Sequence, residues 1–132
     1  MRYSRQRNLI LDIVRCTDTH PTADWIYRKA RLTMPSIGIA TVYRNLNMLA
    51  EAGDIKKISM PGSEDRFDRD VTAHSHMRCE KCGALIDLKP LSEEAHAELE
   101  KMVKMTFDVD DSEVRLNETL LTGVCRNCRK AV

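Results

Sequence analysis

The chain has 132 residues, enough for one ordinary domain or two small ones, and is 42% hydrophobic and 31% charged, as folded globular proteins are. It has no apolar run of roughly 18 residues, which excludes a membrane-spanning helix, and its basic start is not followed by a signal-peptide core, so a cytoplasmic location is expected. The net charge of +1 argues against nucleic acid only until it is mapped: residues 1–57 carry ten Lys/Arg against five Asp/Glu, and residues 58–132 eleven against fifteen, the pattern of a basic reading head on an acidic body.

The periodicity predicts a helix over residues 4–17, with Leu9, Ile10, Ile13 and Val14 on one face and Ser4 as its cap. Asp18-Thr19-His20-Pro21 breaks it. A second helix is expected from Ala23 to Leu32, capped by Thr22, and a third from Ile39 to Ala52, with Val42, Leu46 and Leu49 facing inward and Gly53 ending it. Two strands follow, over 54–60 and 65–67, with Pro61-Gly62 as the turn between them. Three short helices and a hairpin make a winged helix, in which the second and third helices form the helix-turn-helix. A polar stretch, Asp70 to Ala73, leads into a second unit. There, residues 74–79, 84–88 and 113–124 read as strands, and a helix capped by Ser92 runs to about Met105 with Ala95, Leu99, Met102 and Val103 along one side. The expected fold is therefore α+β: a winged helix-turn-helix domain over 1–69 and a small α/β dimerisation domain over 70–132.

Five cysteines, in a chain with no secretion signal, disfavour a disulfide framework. Cys79-Glu80-Lys81-Cys82-Gly83 and Cys125-Arg126-Asn127-Cys128 are two Cys-x-x-Cys turns separated by 42 residues. Each supplies two thiolates, and together they complete the closed tetrahedron of structural Zn²⁺. A pair of redox-active dithiols is the alternative. Cys16 stands apart, as a small apolar group of the first helix.

His74-Ser75-His76 places two imidazoles on one face of a strand. With Asp68, Asp87 and His20 they offer three nitrogens and two carboxylates, a donor set suited to Fe²⁺, Mn²⁺ or Zn²⁺. The same residues admit a plainer reading, with His20 as a loop residue before Pro21 and Asp68 as a surface charge between Arg66 and Arg69. A zinc hydrolase built on His74, His76 and Asp68 is a further alternative, disfavoured by the basic first half and the lack of a separate general base.

His20-Pro21-Thr22-Ala23-Asp24-Trp25-Ile26-Tyr27, Ala40-Thr41-Val42-Tyr43-Arg44-Asn45-Leu46, Arg66-Phe67-Asp68, His74-Ser75-His76 and Cys79-x-x-Cys82-Gly83 together resemble the ferric uptake regulator family, in order and over nearly the whole chain. The resemblance implies that His20, Asp68, His74, His76 and Asp87 form a regulatory site for Fe²⁺ or Mn²⁺. Aspartate rather than glutamate at 68 and 87 is similar to the peroxide-sensing branch, in which bound Fe²⁺ reacts with hydrogen peroxide and a ligand histidine is oxidised, here His20 or His74. An iron-, manganese- or zinc-uptake regulator of the same family is the runner-up. Three departures stand out. The chain starts almost at the first core helix, so the short helix that precedes it in many relatives is expected to be absent. Asn117 stands where iron-uptake members carry a further metal-binding histidine, and Leu121-Thr122-Gly123 replaces a common Leu-Tyr-Gly.

The partners implied are a homodimer and double-stranded DNA with a palindromic operator, with no membrane and no small organic substrate; the protein is expected not to be an enzyme. With Val42, Leu46 and Leu49 inward, Arg44 points to the opposite side of the third helix, with Asn47 beside it and Thr41 and Tyr43 on the flank. Arginine can bond a guanine edge, and an aromatic ring can touch thymine methyls. Arg2, Arg5 and Arg7, with Lys56 and Lys57 on the wing, suit phosphate contacts.

Overall fold

A computed structural model describes residues 3–107, 109 and 113–130, and the chain divides into two units, Met1–Thr72 and Ala73–Val132. In the first unit, local caps decide where the helices begin. Ser4 accepts from Arg7 N and opens α1 (Arg5–Arg15); Thr22 accepts from Trp25 N and opens α2 (Ala23–Thr33). Each hydroxyl takes up one amide that the first turn leaves without an intrahelical partner. Gly38 precedes α3 (Ile39–Glu51) without a side-chain cap.

The end of α3 is built by Gly53, whose φ of +82° is open to glycine and strained for other residues. Its N–H donates to Ala50 O at 3.1 Å, and Asp54 N donates to Leu49 O at 3.0 Å, the two bonds of a Schellman ending. These bonds commit Asp54 to the helix terminus, so the first wing strand is shorter than the expected 54–60. The wing is β1 (Lys56–Ile58) paired antiparallel with β2 (Arg66–Asp68), Lys56 opposite Asp68 and Ile58 opposite Arg66.

The apolar stripes of the three helices meet in one core. Ile10, Leu11 and Val14 from α1, Ala23, Ile26 and Ala30 from α2, and Val42, Leu46 and Leu49 from α3 are buried together with Ile37, Ile55 and Phe67. Burying a side chain of the Val, Leu, Ile or Phe class is worth about 1.5–3 kcal/mol, so this cluster supplies most of the driving force for the unit. The helix-turn-helix of α2 and α3, followed by the β1–β2 wing, is a winged helix.

The second unit is a three-stranded sheet in the order β4-β3-β5. β3 (Ser75–Cys79) and β4 (Leu85–Leu88) form a hairpin, and β5 (Leu120–Gly123) lies parallel to β3 on its other side. A parallel neighbour needs a long crossover, and α4 (Glu93–Thr106) lies within it, capped by Ser92, which accepts from Ala95 N at 3.0 Å.

Two expectations for this unit are corrected. Residues 113–119 are not strand: Leu116 N donates to Glu100 Oε2 and Thr119 N to Ser75 Oγ, so side chains take backbone donors that a ladder would use. Pairing starts only where β3 offers a partner, at His76 opposite Leu120. The second Cys-x-x-Cys is not a bare turn but opens α5 (Arg126–Lys130). Among the described residues of α4 none is buried, and Leu99, Met102 and Met105 are exposed. Among the described residues no helix is long and apolar enough to cross a membrane.

Candidate metal centres and nucleic-acid interface

Strand pairing assembles the cysteine site. Cys79 ends β3 opposite Gly123 of β5, and Glu80 N donates to Gly123 O at 2.8 Å, which carries Cys125 back to Cys79. Cys79 N donates to Ala84 O and Gly83 N to Cys79 O, closing the turn that presents Cys82. One ligand atom from each of Cys79, Cys82, Cys125 and Cys128 lies within 4.8 Å of the others. The Cys82 and Cys125 sulfurs are 3.8 Å apart, which matches the edge of a tetrahedron of Zn–S bonds of about 2.3 Å. All four thiols are free.

The electrostatics suit the same ion. Amides of Cys125 and then Cys82 point at the Cys79 sulfur and pull its pKa down to about 6. Cys128, hydrogen-bonded to Cys125 and Cys82 among its neighbours and losing hydration, is pushed up to about 12. One thiolate is thus favoured by the backbone, while another thiol resists adding charge to the cluster. A divalent cation reverses that resistance, because a coordinating thiol is deprotonated outright. The donor set fits structural zinc.

The imidazole and carboxylate candidates gather in two groups, one in each unit. In the first unit, Phe67 N donates to Pro21 O at 2.9 Å and Arg66 Nη1 to His20 O at 3.1 Å, so the His20-Pro21 loop is stitched onto β2. His20 adopts φ +53° there, a left-handed conformation uncommon outside glycine. The result is a buried pair, His20 Nε2 to Asp68 Oδ2 at 3.1 Å. In the second unit, Asp87 lies opposite His76 in the β3–β4 register, and on one face of a strand the side chains at 74 and 76 project together. Both imidazoles converge on a single carboxylate oxygen: Asp87 Oδ1 is 3.0 Å from His74 Nε2 and 3.2 Å from His76 Nε2, with the two rings 4.4 Å apart. His20, Asp68, His74 and His76 are buried and Asp87 is exposed. Nitrogens and carboxylate oxygens so mixed are donors for a first-row divalent metal.

Of the residues assigned to DNA, Arg2 lies outside the described residues. Tyr43, Arg44 and Asn47 are exposed on α3, opposite the buried Val42, Leu46 and Leu49, and Thr41 is half-buried at their edge. Arg44 Nη2 rests 3.3 Å from Thr41 Oγ1. On the wing, Lys57 reaches Asn47 Oδ1 and Asp65, each at 3.4 Å. Lys56 and Lys57 are neighbours in a strand and point to opposite faces, so of the two Lys57 sits on the α3 side. Arg5 is exposed on α1, whereas Arg7 is half-buried, with Nε donating to Asn45 Oδ1 at 3.1 Å.

Sequence reasoning missed Asn45. It is buried among apolar neighbours on α3, and one signal pointed to it: position 45 falls on the 42–46–49 stripe, where a polar side chain needs a partner. That partner, Arg7, comes from another helix and leaves no local trace.

A family model described as the ferric uptake regulator family matches residues 1–118. The peroxide-responsive repressor PerR of Staphylococcus epidermidis is 31% identical over 130 residues, covering 98% of this chain and 83% of the relative. Among solved structures, the peroxide stress regulator of Campylobacter jejuni aligns with a TM-score of 0.61 at 28% identity, covering 92% of this chain and 87% of that one. A zinc-bound manganese uptake regulator aligns with a TM-score of 0.68 at 27% identity, covering 95% and 91%.

Proposed function

Because this chain belongs to the ferric uptake regulator family, and is accordingly a metal-dependent regulator rather than an enzyme, we propose that it is a cytoplasmic, dimeric transcriptional repressor that senses hydrogen peroxide. The observation that carries the reading is the pair of imidazole–carboxylate groups, His20 with Asp68 and His74 with His76 and Asp87, one in each unit. A five-coordinate divalent ion needs more donors than either group has, and the two together supply five. Aspartate at both carboxylate positions, with peroxide-responsive repressors among the relatives, supports the peroxide branch.

In this reading Cys79, Cys82, Cys125 and Cys128 hold a structural Zn²⁺ with no open position, and His20, Asp68, His74, His76 and Asp87 hold a regulatory Fe²⁺ or Mn²⁺. Ferrous iron bound there would supply the reduction of hydrogen peroxide. His20 or His74 is the side chain that would take up oxygen, and an oxidised imidazole is a poor ligand. Losing it would release the regulatory ion. The exposed apolar side of α4, including Leu99 and Met102, covers the same face of a second copy. Two winged helices related by a two-fold axis match a palindromic operator. Thr41, Tyr43, Arg44 and Asn47 then face the major groove, and Arg5, Lys56 and Lys57 lie at phosphates.

The test is DNA binding by the zinc-loaded protein with Fe²⁺ or Mn²⁺, before and after peroxide, followed by mass spectrometry of the His20 and His74 peptides. The expected result is metal-activated binding, lost after peroxide only with Fe²⁺, together with an added oxygen on one of those histidines. Metal-activated binding that peroxide leaves intact would assign the chain to metal-uptake control instead, and release without histidine modification would remove the proposed sensor.

A further inference from the structure

Arg7 leaves α1 and crosses to α3. Its Nε donates to Asn45 Oδ1 at 3.1 Å, its Nη2 lies 2.9 Å from Met48 Sδ, and its guanidinium stands 5.3 Å from the centroid of the Tyr3 ring. Tyr3 is fixed in turn, because its hydroxyl donates to Asp54 just beyond α3. The far end of the Asn45 amide donates from Nδ2 to the Thr41 carbonyl at 2.8 Å, and the Thr41 hydroxyl meets Arg44 Nη2 at 3.3 Å. A continuous path of polar contacts therefore runs from α1, through a buried amide, to the exposed arginine of α3.

Each contact has a chemical reason. Asn45 is only 6% exposed, and a buried amide is costly unless both its acceptor and its donor are used. Arg7 uses the acceptor and the Thr41 carbonyl uses the donor, which also fixes which way round the amide lies. Arginine suits this place and lysine does not, since a planar fork can bond along one edge while its face stacks on a ring, and an ammonium is a point charge.

Resting on the DNA-binding reading above, we infer that Arg7 and Asn45 are positioning residues: together they set the orientation of α3 against α1, and so determine which bases Arg44 and Thr41 select. Arg7 acts through Asn45 and not at a phosphate. A recognition side chain must be held to within about 0.5 Å of its productive geometry, and this clamp sits one helical turn or less from both reading residues.

The experiment uses the metal-loaded full chain and two probes: a duplex enriched by the parent protein from a randomised pool, and a scrambled duplex of the same length. Arg7→Lys keeps the charge and removes the Nε donor. It is expected to lower the enriched-to-scrambled affinity ratio about tenfold or more while leaving binding to the scrambled duplex and the salt slope as in the parent. Asn45→Ala is expected to lower the ratio to a similar degree, and the double variant to be no worse than either single one, in the ratio and in a parallel thermal-unfolding cycle. An unchanged ratio in Arg7→Lys overturns the inference, as do effects that simply multiply. Arg7→Ala weakening both duplexes alike, with the salt slope reduced by about one, makes Arg7 a phosphate contact. A parent that enriches no duplex with either metal refutes the DNA-binding reading itself, and the clamp's role in base selection with it.

Discussion

The two units are held together by different means. The first carries a cluster of twelve buried residues drawn from three helices, the segments that flank α3, and β2. In the second, the apolar groups buried among the described residues are Leu85 and two of the cysteines, Cys79 and Cys125, while α4 buries nothing. A unit of this size with so little core needs a metal or a partner chain, and it has a four-thiol cluster and an exposed apolar helix face to engage them. Hydrophobic burial builds the first unit; in the function proposed above, coordination and association complete the second.

The sharpest way to break this contrast is to remove zinc. Cys79→Ser or Cys125→Ser should cost on the order of 10 kcal/mol of metal-derived folding energy. The expected outcome is selective: amide signals of residues 73–130 collapse in a two-dimensional NMR spectrum, while those of α1–α3 persist. Loss of both units together would show that the first leans on the second. The converse lesion is Leu46→Ala, in a core position with no exposure. It should cost roughly 2–5 kcal/mol, seen as a lower midpoint for the first unit in denaturant, with zinc content unchanged.

Association is the next lever. Leu99 and Met102 are 53% and 55% exposed, and charging that face with Leu99→Asp and Met102→Asp should weaken self-association by about 3 kcal/mol, on the order of a hundredfold in Kd. Sedimentation equilibrium would register a shift toward monomer. A dimer that withstands both changes would place its interface elsewhere. The smallest effect is local to the first unit: Gly53→Ala forces a side chain into φ +82° and should cost about 1 kcal/mol, visible as a few degrees in Tm.

What could be read from the sequence follows the range of the forces involved. Ser4, Thr22 and Ser92 were legible as caps because a hydroxyl needs only the amide three residues on. The core stripe of α3 was legible from its period, and the two cysteine pairs from their spacing. The strand expected over 113–124 came out as Leu120–Gly123, because strand length is set by the partner: β3 begins only at Ser75, its register with β5 starts at His76 opposite Leu120, and Glu100 and Ser75 hold the Leu116 and Thr119 amides. The short helix α5, Arg126–Lys130, had too few residues to show a period. The Arg7–Asn45 bond joins positions 38 residues apart, and no local pattern announces it.

The cysteine site also has a timetable. The first unit is complete once residue 72 has emerged, but Cys79 and Cys82 wait for thiols that lie beyond an intervening stretch of 42 residues. At about 5–20 residues per second on the ribosome, that interval is roughly 2–8 s. For those seconds the β3–β4 hairpin presents two thiols with half a coordination shell, and the Cys125 amide that does most to favour the Cys79 thiolate in the finished fold has yet to arrive. A newly made chain is thus open to oxidation or to a competing thiophilic ion before the closed tetrahedron protects it, and a cell short of zinc would lengthen that window for each copy it makes.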